Sequence, residues 1–109
     1  MAREGERFMR ILIFFDLPTK TQSQRSVAAG FRGWLIKDGY QMLQWSVYAR
    51  ICKGQDGVEK HTKRIRMHTP ENGNVRMMIV TEKQYASMEI LVGTLKKIER
   101  IGPEQLVLL

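Results

Sequence analysis

The succession of apolar patterns in this chain predicts an α+β fold, one sheet with helices packed on a single face. Three observations carry that prediction. Residues 8 to 16, FMRILIFFD, form a dense run of Ile, Leu and Phe that stops at Leu17-Pro18, as a buried strand does. Residues 40 to 52, YQMLQWSVYARIC, alternate with the period of two that strands impose. Between these runs Val27, Phe31, Trp34 and Leu35 recur at helical spacing.

The first strand is followed by a predicted helix from about 21 to 38, with Thr19 or Thr21 placed to cap its start and Gly39 its end. In the next strand Leu43, Trp45, Val47, Ala49 and Ile51 point one way, and Gln44, Ser46, Tyr48 and Arg50 the other. The apolar set is expected to meet the helices. Residues 56 to 68 carry a thin stripe of Val58, His61 or Thr62, and Ile65, which predicts a short, lightly packed helix with a free basic side. PENG at 70 to 73 signals a turn, and NVRMMIVTE reads as a strand set hairpin-like to the one before it. Thr81 and Gln84 have capping-box spacing and predict a helix running through Tyr85, Met88, Leu91 and Val92 to Gly93. The tail breaks at Gly102-Pro103 and closes on EQLVLL, expected as a short strand.

This order is the βαββαβ arrangement of a ferredoxin-like fold, with a small inserted helix and a C-terminal strand. Residues 1 to 8 read as an N-terminal extension and 9 to 109 as a single domain. Two helices cover one sheet face. The face bearing Gln44, Ser46, Tyr48 and Arg50 is left without a helix and is expected to meet a second copy of the chain, most simply as a two-fold dimer.

Hydrophobic residues at 43% and charged residues at 27% argue against a disordered chain, and no apolar run nears the ~20 residues of a membrane span. The opening MAREGERF lacks the apolar core of a signal peptide, so the cytoplasm is the expected compartment and no membrane partner is expected. Cys52 is the only cysteine, which excludes an intrachain disulfide and a cysteine-rich metal site and leaves a buried, inert thiol. The 18 Lys and Arg against 11 Asp and Glu leave a net charge of +7, which suits a polyanion such as nucleic acid.

Against that charge Asp16 stands out: it is the only acid between Glu6 and Asp38, and it ends the most hydrophobic strand. Strand ends and the loops after them commonly display functional groups. Asp16 can be read as an anion beside the amides that open the following helix. With a second Asp16 brought across a two-fold axis, it can instead be read as a ligand for Mg²⁺, which takes one or two carboxylates plus waters and can activate water or clamp a phosphate. Lys60, Lys63, Arg64 and Arg66, together with Arg50, Lys53 and Arg76, form a basic set able to track phosphates without reading sequence. His61 and His68 lack a third ligand nearby and read as solvated or nucleic-acid-facing, while Met77, Met78 and Met88 are expected to pack. The sequence has no Gly-rich phosphate loop, no paired carboxylates within one strand and no aromatic signature of an RNA-recognition module.

MRILIFFDLP at 9 to 18, the basic helix behind it, GYQMLQWSVYARIC at 39 to 52 and GNVRMMIVTEKQYASMEILVG at 73 to 93 together resemble the small CRISPR-associated Cas-two proteins, especially those of type II systems. The resemblance spans roughly residues 9 to 109. Its specific parts are the strand ending in Asp16 and the block of Gln44, Ser46, Val47 and Tyr48. It implies a homodimer formed through the sheets, with Gln44, Ser46 and Tyr48 at the contact. Leu106, Val107 and Leu108 would add as a strand to a neighbour's sheet. It implies that Asp16 is both metal ligand and catalytic residue of an endonuclease using Mg²⁺ or Mn²⁺ on RNA or DNA, and that Arg25 and Arg32 help hold the nucleic acid. It further implies CRISPR adaptation: a dimer that bridges the Cas-one integrase and supports double-stranded spacer-precursor DNA. A purely architectural scaffold and a stand-alone toxin-like ribonuclease are compatible with the same residues. Many relatives carry Tyr where this chain has Phe15, so a hydroxyl at that position is missing here.

Overall fold

The run FMRILIFFD is β1, Phe8–Asp16, of a computed structural model that describes residues 7–93. Its apolar density has a direct cause: β1 is a central strand with an antiparallel neighbour on each side. On one side lies β3 (Val47–Lys53), on the other β4 (Asn74–Thr81), and β2 (Gln41–Gln44) pairs with β3 at the edge, giving the order β2-β3-β1-β4. Helices α1 (Gln22–Lys37) and α2 (Gly54–Arg66) pack on one face, and the short α3 (Glu82–Ala86) lies on the other. This is the predicted ferredoxin-like βαββαβ fold.

The pleat divides the chain into two apolar clusters. Ile11, Ile13 and Phe15 of β1 meet Tyr48 and Cys52 of β3, Ala28, Phe31 and Leu35 of α1, and Val58 and Ile65 of α2. The alternate residue Leu12 meets Ala49 and Tyr85 on the opposite face. Each large apolar side chain fully buried stabilises the fold by roughly 1.5–3 kcal/mol, so the helix-covered face carries most of the stability.

Helix α1 starts and stops where its local chemistry dictates. Thr21 Oγ1 accepts from Gln24 N–H at 3.1 Å while Gln24 Oε1 accepts from Thr21 N–H at 3.0 Å, a complete capping box. Gly39, at φ 94°, follows the C-cap residue Asp38 and turns the chain out of the helix. The buried stripe is Ala28, Phe31 and Leu35 rather than one led by Val27, which is 51% exposed. Residues 28, 31 and 35 share one line on the helix, and position 27 falls at its margin.

Residues 40 to 53 form a hairpin, not one strand. Trp45 and Ser46 make the turn between β2 and β3, with Ser46 in the left-handed region at φ 66°. The expected facing is also reversed. Tyr48 and Cys52 are buried under the helices, and Arg50 lies with them, whereas Ala49 belongs to the opposite cluster. Periodicity identifies which residues share a face, not which face the helices cover. Tyr48 and Cys52 are apolar enough to be core, and the Arg50 between them reaches the Asp38 carbonyl at the end of α1 and His61 of α2.

The hairpin reassigns the elements around it. Helix α2 is the second main helix of the fold rather than a small insertion. It is 13 residues long, and its buried residues Val58, His61, Thr62 and Ile65 match the sequence stripe. Strand β4 pairs with β1 rather than forming a hairpin with its predecessor. The helix opened by Thr81 and Gln84 has the expected capping box but ends at Ala86. Beyond it Met88, Leu91 and Val92 are exposed, as is Met78, while Met77 packs against the main core. Leu106, Val107 and Leu108 lie outside the described residues. Among the described residues no helix is long and apolar enough to cross a membrane.

Candidate metal and nucleic-acid site

Asp16 is the last residue of β1, opposite Asn74 of β4, and it is exposed. Because Phe14 and Asp16 alternate with Ile13 and Phe15, the carboxylate emerges on the sheet face that α1 and α2 do not cover. It lines a shallow depression of about 410 Å³ with Phe14, Phe15, Asn74 and Arg76. Among the described residues its carboxylate makes no hydrogen bond or ion pair. Gly73 holds the turn before β4 against this strand end. It sits at φ 97°, and a Cβ there would lie 2.8 Å from the Asp16 carbonyl oxygen and 2.9 Å from Leu17 Cδ2.

A carboxylate and the Asn74 amide oxygen are the hard donors Mg²⁺ favours, so the residues present fit such an ion. No three His, Cys, Asp or Glu side chains converge anywhere among the described residues. An ion at Asp16 would therefore complete its shell with water, with phosphate or from a second copy of the chain.

Arg32 of α1 reaches toward the same strand end. Its Nη2 donates to Ser46 Oγ at 3.2 Å, and its Cζ stands 3.8 Å from the Trp45 ring centroid and 4.8 Å from that of Phe15. The Phe15 amide donates to the Ser46 carbonyl at 3.1 Å, which ties the hairpin turn to the residue before Asp16. Arg25 folds back along the β1–α1 loop, donating to the carbonyls of Thr19 and Lys20 and to Gln22 Oε1. Arg25, Arg32 and Arg76 thus gather at the Asp16 end of the sheet.

The rest of the basic set does not. Lys53 ends β3 opposite Phe8, at the far end of β1, while Lys60, Lys63 and Arg66 are exposed on α2, across the sheet from Asp16. Arg50 and Arg64 are drawn into a polar cluster between α1, β3 and α2. Arg64 Nε donates to Asp38 Oδ1 at 2.7 Å, and Arg50 donates to the Asp38 carbonyl oxygen through Nη1 and approaches His61 through Nη2. His61 is therefore a buried group of this cluster rather than a solvated or nucleic-acid-facing one. Burial, then the nearby Arg50 cation, lowers its pKa below the ordinary value for histidine. Burial also raises the pKa of the Cys52 thiol, which is buried as the sequence predicts. His68 is exposed and stacks on Trp34, with centroids 4.2 Å apart.

Of the expected subunit-contact residues, Tyr48 lies in the helix-covered core, stacked on Phe15 with centroids 5.6 Å apart. Gln44 is exposed, and Ser46 is in the turn. Sequence reading did not single out Asn74, Gly73 or Trp45 as site residues. The PENG turn signals Gly73 only as part of a turn, and the period-two pattern places Trp45 on a strand face that meets the helices.

Comparison with known proteins agrees with this geometry. The family model for CRISPR associated protein Cas2 matches residues 9–88, from β1 past the end of α3. A CRISPR-associated endoribonuclease Cas2 from Flavobacterium psychrophilum is 44% identical over 99 residues, covering 91% of this chain and 85% of the relative. One from Campylobacter jejuni is 44% identical over 99 residues, covering 91% and 69%, and one from Acidovorax ebreus is 49% identical over 85 residues, covering 78% and 83%. With its βαββαβ fold and its first strand ending in an exposed aspartate, the chain belongs to the CRISPR-associated Cas2 family.

Proposed function

We propose that this chain acts in CRISPR adaptation as a homodimer that holds a nucleic-acid backbone, bridges the Cas-one integrase, and cleaves RNA or DNA at Asp16 with Mg²⁺ or Mn²⁺. The observation that carries the reading is the Asp16 carboxylate, without a hydrogen bond or ion pair among the described residues, sharing an open depression with Asn74 and Arg76 on the sheet face opposite α1 and α2. Asp16 and Asn74 would hold the ion. Bound there, it would supply an activated water or a clamp on the scissile phosphate. Arg76 would bind and orient the phosphate, and Arg25 and Arg32 would hold the strand on either side. Asp16 is fixed for this role by its pairing with Asn74 and by the tight approach of Gly73.

A purely architectural role is favoured by a different observation. Lys60, Lys63 and Arg66 stand across the sheet from Asp16, so part of the charge that can track phosphates needs no carboxylate. Asp16→Asn separates the two. Under the nuclease reading, metal-dependent cleavage of RNA and DNA falls at least about 100-fold, on the scale of losing one catalytic electrostatic group. Cleavage surviving at the full rate in the purified variant would sink the assignment of Asp16, whereas spacer acquisition that stays intact in a variant without cleavage would favour the scaffold.

A further inference from the structure

Trp45 is 71% exposed at the tip of the β2–β3 hairpin and is a member of neither buried apolar cluster. The turn that presents it is held in an uncommon backbone state, since Ser46 adopts φ 66° without being glycine. Three contacts hold the tip. Phe15 N–H donates to the Ser46 carbonyl at 3.1 Å, Arg32 Nη2 donates to Ser46 Oγ at 3.2 Å, and the Arg32 guanidinium lies 3.8 Å from the Trp45 ring centroid. One face of the indole is therefore backed by a cation, and the other is open to solvent.

We infer that Trp45, backed by Arg32, is a stacking platform for an unpaired nucleobase of a strand whose phosphates pass Asp16 and Arg76. An indole face accepts any base by its π-surface, without a hydrogen-bond code. The charge around it selects the same class of ligand. Arg25, Arg32 and Arg76 gather at this end of the sheet, on a chain of net charge +7. The Arg32 guanidinium lies between Trp45 and the ring of Phe15, so it ties the platform to the strand that ends in Asp16. The inference rests on the nucleic-acid reading above and deepens it by placing an unpaired base at the hairpin tip.

The test compares binding of the full chain to a labelled blunt duplex, to the same duplex with a short thymidine tail, and to one whose tail is abasic. The thymidine tail should tighten binding at least about fivefold, the lower end of what one stacked base contributes. The abasic tail, which keeps the phosphates, should not. Trp45→Ala should abolish the increment, while Trp45→Phe should keep most of it. An increment that survives in Trp45→Ala, or that the abasic tail reproduces, would overturn the platform. So would a Trp45→Ala chain whose only change is weaker self-association in sedimentation. Failure to bind any duplex would count against the nucleic-acid reading itself, and the thymidine strand alone, against Trp45→Ala, would still decide the platform.

Discussion

His61 Nε2 lies 2.7 Å from Arg50 Nη2, and this contact fixes the histidine's protonation state. A guanidinium has no acceptor atom, so Nε2 must carry the lone pair and Nδ1 the proton. That proton faces Asp38 Oδ2 across 3.6 Å. Protonating Nε2 would set two donors against each other. The buried site therefore holds the neutral imidazole, in line with the lowered pKa.

Stability should accordingly depend on pH. The unfolded chain takes up the proton near pH 6.5 and the folded chain only below that, so the contribution is complete above about pH 6.5 and is lost as pH falls through the folded pKa. Urea midpoints measured across this window should decline more steeply in the unsubstituted chain than in His61→Gln. Parallel profiles would show that His61 titrates freely.

Arg10 and Glu82 form a two-pronged ion pair, at 2.8 and 2.9 Å, on the face away from α1 and α2, with the guanidinium 4.2 Å from the Tyr85 ring centroid. Glu82→Ala leaves a nearly buried guanidinium without its partner and should cost about 1.5–3 kcal/mol in urea unfolding. Arg10→Met should cost less, because it still packs on Tyr85 and leaves a Glu82 that water can reach. Equal losses would mean that the aliphatic and ring contacts, not the charge, hold α3.

Gly73→Ala places a Cβ against the Asp16 carbonyl oxygen in a left-handed backbone state. The cost should be about 1–3 kcal/mol, read as a lower unfolding midpoint. Any Asp16-dependent cleavage should fall in conditions where the variant is still fully folded. A variant with unchanged midpoint and unchanged cleavage would show that the strand end does not depend on this turn.

Tyr48 is 3% exposed between the sheet and α1. Tyr48→Ala should therefore cost about 3–5 kcal/mol, as cavity formation does, at every protein concentration. Loss that appeared only on dilution would return Tyr48 to a subunit contact.

The sequence by itself determined the fold class, the first strand and both boundaries of α1. These follow from local chemistry: a dense apolar run, a capping box and a glycine in the left-handed region are each complete within a few residues. It also determined that Asp16 would end β1 as an isolated carboxylate. The tertiary structure decided what periodicity leaves open. Tyr48 and Ala49 are neighbours in one strand, and only the docking of α1 and α2 put Tyr48 in the main core. His61 looked like a surface residue because its partners, Asp38 and Arg50, are 23 and 11 positions away. Trp45 looked like core until the chain turned at Ser46. In each case the deciding contact joins residues from different elements, so its energy exists only once those elements have packed.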